Sequence, residues 1–119
     1  MNPTTFPHQV QRAVEALDDY KANDIMVLDV RDLNAVTDFF VIASGSSNLH
    51  VRSMGGRIVD DLEKEQIIPH HVEGLRAGKW VLLDYVDFVV HIFHPSTREY
   101  YGLERLWSDA PLVEISSST

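Results

Sequence analysis

The residues whose types could do chemistry fall in two places: the turn Gly45-Ser46-Ser47 and the stretch 79–93, KWVLLDYVDFVVHIF. A Gly-Ser turn between a strand and a helix directs backbone N–H groups toward a possible anion. This one lacks the G-x-x-x-x-G-K-[ST] spacing, a nearby lysine and the G-x-G-x-x-G pattern. A capped turn is the plainer reading, with Ser47 accepting a first-turn N–H. Four histidines, His70, His71, His91 and His94, raise the question of a metal. Adjacent strand residues face opposite ways, so His70 and His71 cannot readily share an ion, and His91 and His94 differ in parity. Zinc needs at least three convergent ligands, and there is no cysteine to supply one. No metal and no cofactor are expected. His91 reads instead as a hydrogen-bonded histidine within the sheet, with Asp84 as its candidate partner.

In nucleotidyltransferases a Gly-Ser turn precedes a strand bearing Asp-x-Asp, whose two carboxylates share a face and hold paired magnesium ions. Here the candidates are Asp84 with Asp87 and Asp29 with Asp32, each three apart, a spacing that sends them in different directions. The catalytic constellation is therefore absent from the pattern. There is no G-x-S-x-G elbow either. A nucleotide-handling enzyme built on the Gly45-Ser46 turn is the alternative to a binding protein.

The aromatic set Trp80, Tyr85, Tyr100, Tyr101 and Trp107 remains. Each alone would be assigned to a core, yet together they are too many large groups for one hairpin and one short helix. Trp80, Leu82 and Asp84 share one face of their strand, and Val81 and Leu83 take the other. An exposed Trp and Tyr rimmed by carboxylates is the composition of a protein-binding hot spot.

The elements that must position these groups follow from periodicity. Val10, Ala13, Val14 and Leu17 predict an amphipathic helix over 7–21, with Thr4 or Thr5 as cap and Pro7 in its first turn. Strands are expected over 25–30 and 39–44. A second helix over 48–65 buries Val51, Met54, Ile58, Val59 and Leu62. A short edge strand over 69–74 precedes the hairpin 80–84 and 88–93, and a last helix runs to about residue 107. This order predicts an α/β (α+β) domain, a mixed five-stranded sheet flanked by helices, spanning 1–119 with a frayed tail over 112–119. Gly55-Gly56 inside the second helix needs an explanation, either close packing on a strand or contact with another subunit.

Composition narrows the partners. The chain has 119 residues, 45% hydrophobic and 24% charged, in the range of a globular domain. Ten Lys and Arg against eighteen Asp and Glu give a net charge of −8, which disfavours nucleic acid and favours a basic protein surface. No apolar run reaches the roughly 20 residues of a membrane helix. MNPTTFPHQV resembles neither a signal peptide nor a presequence, so a cytoplasmic protein is expected.

Three motifs carry a family resemblance: TDFFVIASGSS at 37–47, VEGLRAGKWVLLDYVDFVVHIFHP at 72–95 and REYYGLERLW at 98–107. Their sequences and spacing resemble the Iojap family, the ribosomal silencing factors, over about residues 8–111. Val86 departs from the family's usual glycine, as does Ser108. The resemblance implies a nucleotidyltransferase-like fold without catalytic carboxylates and without enzymatic turnover. It implies a cytoplasmic factor, often a homodimer, that binds the large ribosomal subunit through its universal protein fourteen. A domain docked there blocks joining of the small subunit and represses translation under nutrient limitation. Trp80 is then the interface anchor, with Leu82, Tyr85, His91, Tyr101, Glu104 and Trp107 at the interface or supporting it.

Overall fold

A computed structural model describes residues 7–31 and 37–95 and the backbone of 112–114. The first helix, α1 (His8–Asp19), starts at Pro7, whose φ of −58° suits an N-cap whose side chain makes no capping bond. Thr4 and Thr5, expected as caps, lie outside the described residues, as does the predicted last helix. The apolar positions of α1 are all buried: Val10, Ala13, Val14 and Leu17, joined by Ala16. Its end is a Schellman motif. The Ala22 N–H returns to the Leu17 carbonyl at 2.9 Å and the Lys21 N–H to Asp18 at 3.0 Å, with Lys21 at φ +64°. The second helix, α2 (Asn48–Glu63), is followed by the same pair of bonds, from Ile67 to Leu62 and from Gln66 to Glu63, with Gln66 left-handed.

Six strands form one mixed sheet in the order β3-β4-β5-β2-β1-β6. They are β1 (Asn23–Asp29), β2 (Phe39–Ser44), β3 (His71–Glu73), β4 (Trp80–Asp84), β5 (Phe88–Phe93) and β6 (Leu112–Glu114). The five expected strands are all present. The sixth is a correction: Leu112–Glu114 pairs antiparallel with Met26–Leu28 of β1 and is not a frayed tail at those residues. Without it, β1 would expose an unpaired edge, a liability that a short strand can cover. β2 and β5 pair in parallel, the register Ile42 to His91 lying mid-strand, and every residue of both strands is buried. β4 and β5 form the antiparallel hairpin, with Trp80 opposite Phe93 and Leu82 opposite His91.

Both described helices pack on one face of the sheet, against Val27, Val41, Val81, Leu83, Phe88, Val90 and Ile92. The other face carries a second apolar cluster of Leu28, Val30, Phe40, Ile42, Val89 and Phe93, with Met26, Trp80 and Leu82 at its border. Polar groups at and beside the helix ends tie α1 to α2. Glu65 receives His8 and Arg12, and the Tyr20 hydroxyl donates to Asp61 at 2.6 Å beneath the Arg57 guanidinium.

The two glycines of α2 part company. A Cβ on Gly55 would stand 2.8 Å from Leu75 Cδ2 and 2.9 Å from Val81 Cγ1, so close packing on β4 accounts for it. A Cβ on Gly56 would meet nothing within 4 Å among the described residues. Gly56→Ala is therefore expected to raise stability by about 1 kcal/mol through helix propensity, and Gly55→Ala to lower it. Urea titration of the two variants checks both signs.

Val86 sits at φ +73° in the tip of the β4–β5 hairpin, 56% exposed. The Asp87 N–H donates to the Tyr85 carbonyl at 2.9 Å, closing a γ-turn of the rarer, strained hand. Three further bonds hold it: the Val86 N–H to Asp84 Oδ1 at 2.8 Å, the Thr37 hydroxyl to the Val86 carbonyl at 2.9 Å and the Asp38 N–H to the Asp87 carbonyl at 3.0 Å. A β-branched residue is strained at that φ and glycine is not. Val86→Gly should stabilise the protein by about 1 kcal/mol, less what glycine adds to unfolded-chain entropy. A drop in melting temperature would show that the strain is absent.

Candidate interaction surface

The period of two along β4 decides which groups meet. Val81 and Leu83 are fully buried under the helices, and Trp80, Leu82 and Asp84 are half-buried on the opposite face. On β5 the same face receives Val89, His91 and Phe93, because Trp80 and Leu82 pair with Phe93 and His91. Trp80 thus lies over an aromatic floor. Its ring stacks on Phe93 at 5.2 Å and 24° and on His91 at 5.8 Å and 30°, while Phe40 meets His91 edge-on at 5.3 Å. Such pairs add roughly 0.5–1.5 kcal/mol each beyond area burial.

His91 is 5% exposed. Its Nδ1 accepts the indole N–H of Trp80 at 3.0 Å, so its ring proton resides on Nε2, a buried atom with no hydrogen-bond partner among the described residues. Burial pushes its pKa down from 6.5 to about 4, and the donated indole proton favours the same neutral form. The expected partner, Asp84, is engaged elsewhere, in the hairpin tip.

Tyr85 does not join this surface. It is 7% exposed and belongs to the helix-side core, its ring stacked on Phe88 at 4.8 Å. The physical reason is parity, since residues 81, 83 and 85 share the face opposite Trp80. Burial pushes its phenol up to about 12, and its hydroxyl has no partner among the described residues. Of the expected interface residues, Trp80, Leu82 and His91 come together, Tyr85 lies behind the sheet, and Tyr101, Glu104 and Trp107 fall outside the described residues.

The Gly45-Ser46-Ser47 turn is engaged internally. The Ser46 N–H donates to His50 Nδ1 at 2.9 Å, and His50 Nε2 donates to the Tyr20 carbonyl at 2.8 Å. Gly45 N–H donates to the Phe93 carbonyl at 2.9 Å, and Ser47 Oγ caps α2 by accepting from the His50 N–H at 3.0 Å. Sequence inspection missed His50, although its place four residues after Ser46, one turn into the helix, is the signal. An anion would have to displace a ring nitrogen to reach the Ser46 amide. Among the described residues no three His, Asp or Glu side chains converge on a cation-sized site.

Residues 3–119 match the family described as ribosomal silencing factor during starvation. The chain belongs to that family. A Bacillus subtilis protein named ribosomal silencing factor RsfS is 41% identical over 103 residues, 87% of this chain and 87% of its own length. A Mus musculus protein named mitochondrial assembly of ribosomal large subunit protein 1 is 34% identical over 117 residues, 92% of this chain and 51% of its own length. Among solved structures, a Chromobacterium violaceum protein superposes with a TM-score of 0.82 at 30% identity, covering 100% of this chain and 98% of that one. A Bacillus halodurans protein does so with a TM-score of 0.78 at 37% identity, covering 89% and 96%. Membership in the ribosomal silencing factors agrees with the resemblance carried by the three motifs, and the mixed sheet with helices is the architecture expected from them.

Proposed function

We propose that this silencing factor binds the large ribosomal subunit at its universal protein fourteen and blocks joining of the small subunit, repressing translation when nutrients are limiting. The observation that carries the reading is the half-buried Trp80, held flat on Phe93 and His91 beside Leu82. A half-buried aromatic residue with a fixed ring is suited to anchor a protein contact, because little side-chain freedom is lost on docking. Tyr101, Glu104 and Trp107 complete the proposed surface. The net charge of −8 speeds encounter with a basic ribosomal protein, and the anchor governs dissociation. Occupancy of the joining face is sufficient, so the protein works without turnover and without a cofactor. It does so in the cytoplasm, as a protein that forms a homodimer.

Trp80→Ala is expected to weaken binding to purified bacterial large subunits by about 2 kcal/mol, or roughly thirtyfold, with little change in fold. Co-sedimentation across a salt series measures the loss. Small subunits added to the same samples report whether joining is blocked. Normal joining at saturating protein would refute the proposal.

A further inference from the structure

We infer that His91 is the positioning residue for the Trp80 anchor: by accepting the indole N–H it sets the ring's attitude and occupies the ring's one polar group, so that the partner receives Trp80 in an apolar recess that offers no acceptor. The inference rests on reading Trp80 as the anchor. It follows from the placement of four groups. Trp80 Nε1 is 3.0 Å from His91 Nδ1. The histidine lies on the central strand β5, between Ile42 of β2 and Leu82 of β4, where its backbone is fixed on both sides. Its ring is nearly parallel to Phe93 at 6° and is met edge-on by Phe40, so it has little freedom to turn. The indole is half-buried and stacks on both floor rings.

An indole N–H is a donor only. A buried indole N–H usually finds an acceptor, and at an interface the partner protein is one source of it. Here the donor is already satisfied within the sheet, and turning it outward would break a bond made beneath the ring. The ring therefore meets its partner as hydrocarbon. If His91 lost its acceptor, the freed N–H would bond to water in the unbound protein and would be stripped of that water on docking, with nothing to replace it. The cost appears in binding even where the fold is kept.

Two substitutions separate the ring from the acceptor. His91→Phe keeps an aromatic floor and removes the acceptor. His91→Asn removes the ring and places an amide oxygen near the position of Nδ1. Affinity for purified bacterial large subunits is measured for both, for Trp80→Ala and for Trp80→Ala with His91→Phe. Nitrogen-15 spectra follow the Trp80 indole N–H and His91 Nδ1. The wild-type spectra should show a slowly exchanging indole proton and an unprotonated, hydrogen-bonded Nδ1. His91→Phe should weaken binding by about tenfold. It should also speed indole exchange, and it should add nothing to the loss in Trp80→Ala. His91→Asn should recover most of the affinity.

Wild-type affinity in a folded His91→Phe variant, alongside a weakened Trp80→Ala, would overturn the inference and leave the anchor standing. Additive losses in the double variant would overturn it too, since His91 would then act apart from Trp80. A wild-type spectrum with a fast-exchanging indole proton would overturn it even if neither His91 variant folds. Wild-type binding by Trp80→Ala would remove the anchor itself, and the inference with it.

Discussion

Gly74→Ala should lower the melting temperature by about 10 °C or more and weaken binding to the large subunit at the same time. Gly74 has φ +85°, a region that L side chains rarely adopt. A Cβ there would lie 1.9 Å from the carbonyl oxygen of Trp80 and 3.3 Å from Cα of Val81. Neither atom belongs to a flexible side chain. Both are strand backbone, tied into β4 between β3 and β5. Relief requires β3 or the start of β4 to move, at a cost of about 3 kcal/mol or more, made up of left-handed strain and lost pairing. For a domain of this size about 1 kcal/mol corresponds to roughly 4 °C. Because the obstructed carbonyl is that of Trp80, the proposed anchor should shift with it. Thermal melts and co-sedimentation of the same variant test both parts. An unchanged melting temperature would mean that the loop from Gly74 to Lys79 is arranged differently.

The second large effect is acid destabilisation centred on His91. Its folded-state pKa is lowered from 6.5 to about 4 by burial. Between those values the unfolded chain binds a proton that the folded protein excludes, so stability rises with pH across that window. The contribution of the neutral histidine is complete above about pH 6.5 and decays as pH falls toward about 4. From pH 7 to pH 4.5 the loss from this one group is on the order of 2 kcal/mol. His91→Phe has no such proton to bind. The difference in unfolding free energy between wild type and His91→Phe should therefore shrink or reverse on acidification, whatever its value at neutral pH. Asp29, held low by Arg31, and Glu65, held low by Arg12, act in the opposite way to a raised group: their support persists above their unfolded values near 4 and is lost below them. Their loss is concentrated below about pH 5, so the upper part of the window reports His91. Parallel pH profiles for the two proteins would contradict the buried, neutral state of His91.

Much of the architecture was legible because periodicity reports burial. Val10, Ala13, Val14 and Leu17 announce the buried stripe of α1, and the alternation in Trp80–Asp84 matches the observed alternation of buried and half-buried residues. The hairpin limits at 80–84 and 88–93 coincide with the observed strands. Leu112–Glu114 was missed because three residues beside a Ser-rich end carry no period of their own; their strand exists only through pairing with β1. The end of α1 was expected near Lys21, but its left-handed cap was hidden, since glycine is the usual signal for one and a lysine fills the position here. Tyr85 shows the reverse case. Its parity with Val81 and Leu83 was readable all along and placed it behind the sheet, while the family resemblance had grouped it with Trp80.

From the chain alone came the mixed sheet with helices, the acidic charge, the unsuitable spacing of the aspartates, and the family motifs that single out Trp80. These are properties of composition, of local period and of residue type, and each is written in neighbouring residues. Only the tertiary structure decided that His91, eleven positions along the chain, accepts the hydrogen bond of the indole N–H, that His50 engages the Ser46 amide, and that a Cβ on Gly55 would meet β4 while one on Gly56 would meet nothing among the described residues. Those facts depend on strand register and on how a helix lies over a sheet. Both are settled by packing between segments distant in sequence, which no local pattern encodes.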